Sequence, residues 1–142
     1  MADQTQDGKL QVRLVTPDRE LVDTAADAVE LPGRTGYLEV LYGAAPLLTE
    51  LGTGLVSIHG GGEGNDRYYV AWGFAEVLPE KVTILAETAE KAEEIDTARA
   101  EAAKRKAEAE LAKAGPEGDK NAQTALERAQ ARIAVASTLN RS

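Results

Sequence analysis

A change of composition near Thr88 constrains this chain more than any single motif. All six aromatic residues, 11 of 13 glycines and four of five prolines precede it, whereas 16 of the 54 residues from Ala89 onward are alanine. Charge divides at the same point: residues 1–88 carry 6 Lys/Arg against 14 Asp/Glu, and residues 89–142 carry 10 against 10. A turn-rich, aromatic-bearing half and an alanine-rich half do not share one periodicity. The sequence therefore predicts two structural parts, 1–88 and 89–142.

The first part reads as short strands. In "LQVRLV" (10–15), Leu10, Val12 and Leu14 alternate with Gln11 and Arg13, which puts one set on a buried face. "TPDR" follows as a turn, with Pro17 fixing φ. Further strands are expected at 25–31, 37–42, 46–51, 54–59, 67–72, 74–78 and 81–86, with "PGRTG", "GTG", "GGGEGND" and "PEK" separating several of them. Many short strands at this spacing point to a sandwich or barrel, and no helix-length segment is available for parallel crossovers.

The second part reads as two helices. Residues 95–113 and 121–138 are rich in Ala, Glu, Lys and Arg, and "AGPEGD" breaks the pattern between them. The short connection implies an antiparallel hairpin. Its large aliphatics are few: Ile95 and Leu111 on the first helix, then Leu126, Ile133, Val135 and Leu139 on or near the second. Burial contributes only about 25 cal/mol per Å², so the hairpin is expected to depend on a partner surface and to be detachable.

Several function classes are excluded by what the chain lacks or carries. A net charge of −8 argues against nucleic-acid binding and against direct attraction to anionic lipid. There is no cysteine, and one histidine, His59, excludes a multi-histidine metal site. "HGGGEGND" lacks the Lys-Ser/Thr of a phosphate loop and is expected to be a hairpin loop, with His59 a surface or edge residue. No Ser-His-Asp set is present, so the chain is not expected to be an enzyme. The N-terminus is polar and acidic, unlike a targeting peptide.

Two features of the helical part suggest a ligand. Asp96 and Arg99 stand at the start of the first helix, where Asp96 can cap the backbone and pair with Arg99 one turn on. Arg128 and Arg132 are i,i+4 on the second helix and share a face. If the hairpin closes, three guanidiniums converge near a helix N-terminus, a setting suited to phosphate. Solvated arginines are the alternative.

From Leu10 to Ala136 the chain resembles the epsilon subunit of the bacterial F-type ATP synthase. "VTPDRELV", "VELPGRTGYLEVL", "GAAPLLTELGTGLV", "WGFAEVLPEKVTILAETAE", "EEIDTARAEAAKRKAEAEL" and "ALERAQARIAVA" carry the resemblance, in consistent order. The fold class it implies is mainly β plus α: an N-terminal ten-stranded β-sandwich followed by a C-terminal antiparallel two-helix hairpin. The function it implies is a non-catalytic rotor subunit at the foot of the central stalk. The sandwich would bind the gamma subunit and the c-ring, coupling proton-driven rotation to synthesis in the alpha/beta catalytic head. The hairpin would reach that head to restrain ATP hydrolysis. The expected location is the bacterial plasma membrane, peripheral on the cytoplasmic side.

The resemblance also implies sites. The I-D-x-x-R-A motif, here Ile95, Asp96, Arg99 and Ala100, is associated with ATP, with Glu90 beside the adenine and Arg99, Arg128 and Arg132 on the phosphates. ATP would be a regulatory ligand, and no cofactor is required. A further arginine of the first helix in that family is Lys106 here, next to Arg105. The gamma and c-ring docking region would include Gly36, Tyr37, Leu38, Glu39, Tyr42, Ala44 and Pro46. Within it Tyr37 stands where Glu is usual, Glu39 where Gly is, and Tyr42 and Ala44 where Pro and His are. Two rival readings are a stand-alone ATP-sensing module and a helical-hairpin adaptor.

Overall fold

The computed structural model describes residues 8–61 and 64–140, and for Asn140 the backbone alone. The chain divides into two compact units, Met1–Lys91 and Ala92–Ser142. The first contains β1 (Leu10–Val15), β2 (Glu20–Ala26), β3 (Ala28–Gly33), β4 (Gly36–Leu41), β5 (Leu47–Gly61), β6 (Gly64–Val77) and β7 (Lys81–Lys91). The second contains a 3-10 turn at Ala92–Glu94, then α1 (Thr97–Lys113), α2 (Lys120–Ser137) and a 3-10 turn at Thr138–Asn140. The strand β7 thus includes residues 89–91, three positions past the compositional boundary.

One hydrogen-bonded sheet, in the order β2-β1-β7-β6-β5-β3-β4, forms the first unit. Neighbours are antiparallel except β1 and β7, which pair in parallel. The sheet curls until β2 packs over β5, making the two layers of a sandwich. Leu10, Val12, Leu14, Val29, Leu31, Val56, Ile58, Val70 and Ile84 fill the space between the layers with no exposed surface.

Seven strands stand where ten were expected, and the difference has a local cause. Along β6, Tyr68 and Val70 face the core, but farther on it is Ala75 and Val77. The inward set changes from even to odd positions. The same change occurs in β5 between Leu51 and Val56, and in β7 between Ala86 and Ala89. A one-residue change of phase flips every side chain to the other face. It is produced at Trp72 (φ 61°) and Gly73 (φ 136°), where Trp72 drops out of the ladders to both β5 and β7 without changing their register. β5 and β6 therefore read as two half-strands each in sequence, and the strand expected at 81–86 stops where β7 changes phase, although hydrogen bonding keeps all three continuous. "GTG" (52–54) is accordingly not a turn.

Other local readings are also corrected. The single strand expected at 25–31 is the end of β2 (Glu20–Ala26) and most of β3 (Ala28–Gly33), and residues 20–24, not expected as strand, pair with β1, where polar pairs cross the strands: Arg13 Nε to Glu20 Oε1 at 2.7 Å and Gln11 Nε2 to Asp23 Oδ1 at 2.5 Å. The Glu20 hydrogen bond, and then its charge, raise the pKa of Arg13. The Thr16–Arg19 turn is closed by Thr16 N–H donating to Arg19 O at 2.8 Å, and Thr16 Oγ1 accepts from Arg19 N–H at 3.2 Å. β5 runs to Gly61 and β6 starts at Gly64, so the tip of the expected glycine loop lies outside the described residues. His59 is a partly exposed surface residue, as one of the two expected readings had it, but not at a sheet edge. It sits on an interior strand, half-buried, with Nε2 2.8 Å from Glu30 Oε1.

Gly73 is required twice over: φ is positive, and a Cβ there would collide with the Leu85 carbonyl oxygen and lie 2.9 Å from Ala86 Cα. Both neighbours are backbone and cannot yield cheaply. Gly73→Ala is expected to destabilise the sandwich by roughly 2–4 kcal/mol, measured by chemical denaturation of the single tryptophan's fluorescence. A loss below about 0.5 kcal/mol, the scale of an indifferent surface change, would contradict this role for the kink.

Candidate functional site

The sandwich exposes large apolar side chains in a connected pattern. Leu48 (69 % exposed), Phe74 (49 %) and Leu85 (52 %) point outward from β5, β6 and β7. Phe74 lies opposite Leu85, and Leu48 is two residues from Glu50, which lies opposite Phe74. They form a diagonal stripe across three strands. A shallow cavity of about 390 Å3, lined in part by Val15, Pro17, Gly73, Leu85 and Glu87, continues it onto β1. Glu76 and Glu87 flank the stripe on the same strands, and neither has an ion-pair partner among the described residues. Single exposed apolar residues are ordinary, but a contiguous patch marks an interaction surface.

The expected docking region adjoins this stripe. Tyr37, Glu39, Tyr42 and Pro46 are exposed, and Gly36 has open space where a side chain would be. Leu38 and Ala44 instead pack against the core as half-buried residues, so they support the loop rather than offer contacts. Gly43 N–H donates to Pro79 O at 2.7 Å, which fastens the β4–β5 connection to the turn before β7. Leu41 and Leu47, exposed on either side of that connection, extend the apolar area. They were overlooked in sequence because each sits within a run that reads as an ordinary strand.

In the helical unit, α2 packs along α1 and reaches back to the 3-10 turn before it, as antiparallel helices do. Its buried residues are mostly alanines at seven-residue spacing: Ala100 and Ala107 on α1, and Ala122, Ala129 and Ala136 on α2. A heptad repeat keeps one face toward the partner helix, and small residues there favour axes about 8 Å apart. The hairpin is thus held by close backbone approach more than by large buried side chains.

Asp96 caps α1: its Oδ1 accepts from the Arg99 backbone N–H at 3.0 Å. The expected Asp96–Arg99 side-chain pair is not formed, because the carboxylate is engaged by the backbone and the Arg99 guanidinium is exposed. Asp119 caps α2 in the same way, accepting from Ala122 N–H at 3.1 Å, a role that its position three residues ahead could have suggested. Arg128 and Arg132 line one cavity of about 320 Å3 with Ala103, Asn121 and Thr124. Arg128 Nε is buried there without a hydrogen-bond partner among the described residues. Arg99 lies one turn before Ala103 on α1, while Ile95 and Ala100 are buried. Lys106 and Arg105 are exposed and do not line this cavity. Glu90 belongs to β7 of the sandwich, opposite Tyr69. Among the described residues, no group of three or more His, Cys, Asp or Glu side chains is placed to hold a metal.

A curled sandwich with an apolar outer stripe, followed by a two-helix unit with paired arginines, is the build of a docking subunit with an appended helical element. Residues 9–92 match the family model for the ATP synthase delta/epsilon chain beta-sandwich domain, and residues 93–137 match its long alpha-helix domain. The chain belongs to the ATP synthase delta/epsilon chain family and is a non-catalytic subunit of that complex. It is 53% identical over 108 residues to the ATP synthase epsilon chain of Koribacter versatilis, covering 75% of both chains. It is 44% identical over 133 residues to ATP synthase epsilon chain 2 of Syntrophotalea carbinolica, covering 90% of this chain and 94% of that one. In fold it resembles a chain of the Euglena gracilis mitochondrial ATP synthase, with a TM-score of 0.80 and 23% identity, over 94% of this chain and 84% of that one.

The cap and the absent ion pair give opposite expectations for two neighbours. Asp96→Ala should cost the hairpin about 1 kcal/mol, seen as faster amide exchange in the first turn of α1. Arg99→Ala should leave that exchange within about twofold of the parent, since its backbone N–H, not its side chain, makes the contact. Equal effects from both substitutions would contradict the geometry.

Proposed function

We propose that this chain is the rotor subunit of its ATP synthase that joins the gamma subunit and the c-ring through the sandwich and responds to ATP through the hairpin. The observation that carries the docking half is the Leu48–Phe74–Leu85 stripe, with Tyr37 on β4 and Tyr42 just after it also exposed. Full burial of such a side chain contributes about 1.5–3 kcal/mol; Phe74 and Leu85 are already about half covered, so the stripe must act together with neighbouring contacts to offset the cost of association. No helix among the described residues is long and apolar enough to cross a membrane. As part of the same proposal, attachment to the membrane-embedded part of the complex runs through protein contacts, on the cytoplasmic side of the bacterial plasma membrane.

The ATP half is supported by the Arg128–Arg132 cavity. A buried guanidinium nitrogen without an acceptor costs about 1–3 kcal/mol, and a phosphate oxygen would supply that acceptor with charge assistance. Arg99, Asp96, Ile95, Ala100 and Glu90 complete the proposed ATP set. A ligand shifts a two-state equilibrium only by its differential affinity, so ATP would favour the closed hairpin. Loss of ATP would free the helices to restrain hydrolysis in the catalytic head.

The docking half predicts that the triple change Leu48→Ser, Phe74→Ser, Leu85→Ser lowers capture of the purified gamma subunit by at least about tenfold, or 1.4 kcal/mol. The isolated variant should keep its melting temperature within a few degrees. Unchanged capture would reject this surface. For the ATP half, calorimetric titration of the full chain should give binding heat that Arg128→Ala removes. Absence of heat at millimolar ATP would reject ATP as ligand without touching the docking claim.

A further inference from the structure

The β3–β5 ladder contains a gap that a side chain fills. Glu30 pairs with Ser57 and Gly33 pairs with Leu51, so two residues of β3 face five of β5. Over that interval the β5 amides that point toward β3 lose their regular backbone acceptors, and Pro32 has no N–H of its own. The Leu55 N–H donates instead to the Tyr37 hydroxyl oxygen at 2.9 Å. Tyr37 reaches it from β4, where it lies opposite Pro32. Its ring passes over Gly54: a Cβ at that position would meet the Tyr37 hydroxyl and ring, with Pro32 Cβ 3.1 Å away. Tyr37 nonetheless remains 59 % exposed, so its outer ring face is open to solvent.

From this arrangement we infer that Tyr37 is a positioning residue that seats the β3–β4 hairpin on β5 by completing the interrupted ladder. The hairpin tip is tied to the same strand a few residues away: Arg34 N–H donates to Glu50 O at 3.0 Å, and Arg34 Nη1 meets Glu50 Oε2 at 2.7 Å. Two ties on one strand, at Glu50 and at Leu55, hold the hairpin in a single register where the ladder alone would not. The inference deepens the docking reading, on which its functional meaning rests, because Gly36–Leu41 is the strand that reading places against the partner. A side chain fixed at its tip presents its ring with little left to order on binding.

Residue-resolved amide exchange on the full-length chain tests this without any partner, so its outcome does not depend on capture of gamma. Tyr37→Phe keeps the ring and removes the hydroxyl. Exchange at Leu55 is expected to rise roughly fivefold to tenfold, the scale of one hydrogen bond, and Arg34 N–H should accelerate with it as the hairpin loosens. Val70, in the core of the neighbouring strand, serves as the unaffected reference. Gly54→Ala, whose added Cβ collides with the Tyr37 hydroxyl and pushes it off the Leu55 N–H while the tyrosine is retained, should reproduce the paired acceleration. No change at Leu55 in either variant would overturn the inference. Acceleration at Leu55 alone, with Arg34 protected as before, would also overturn it, since the hydroxyl would then satisfy one amide without holding the hairpin.

Discussion

The close approach of Gly73 to the Leu85 carbonyl is the constraint on which the sandwich depends. It lets β6 change phase against β7, and β5 changes phase at the same level. Without that change each long strand would keep one parity throughout. A single parity would force either Val70 or Ala75 away from the core. With it, each of the three strands contributes an inward set on both sides of the kink. The same event turns Phe74 and Leu85 outward. Core and exposed apolar stripe are therefore two consequences of one backbone feature, as bulges and kinks re-aim side chains.

The two units are stabilised by different means. The sandwich buries Leu, Ile and Val side chains completely, each contributing about 1.5–3 kcal/mol. The hairpin buries chiefly alanine, each contributing a fraction of that, and relies on caps at Asp96 and Asp119 for about 1 kcal/mol apiece. Elements that move are drawn from the low-stability end of a structure. An alanine seam with a cavity lined by two arginines beside it suits the proposal of a helix pair whose closed state is favoured by a ligand rather than fixed by its own core.

Much of this was legible in the sequence, for identifiable reasons. Leu10, Val12 and Leu14 alternate cleanly because β1 has one buried face, and the helices are marked by Ala, Glu and Lys bounded by Asp and Gly. The kink was not legible as such, because a phase change looks like the end of one strand and the start of another. Most of β2 was missed because "ELVDT" has weak alternation, and its polar cross-strand pairs with Arg13 and Gln11 involve residues on another strand. Pairing of Arg128 and Arg132 followed from their spacing. The interception of the Asp96 carboxylate by a backbone amide is a local competition that spacing does not decide. Tyr37 illustrates the limit most clearly: its hydroxyl serves an amide 18 residues away, exposed by a bulge that no local pattern signals.

The central claim is that the outer face of β5, β6 and β7, with the β4–β5 connection, is where this subunit meets the rotor. Amide exchange of the full-length chain, free and bound to the purified gamma subunit, tests it most directly. The account predicts new protection at residues 42–50, 72–76 and 83–87, with little change along the β2 edge. Protection confined to α1 and α2, with the three strands exchanging as in the free chain, would contradict it.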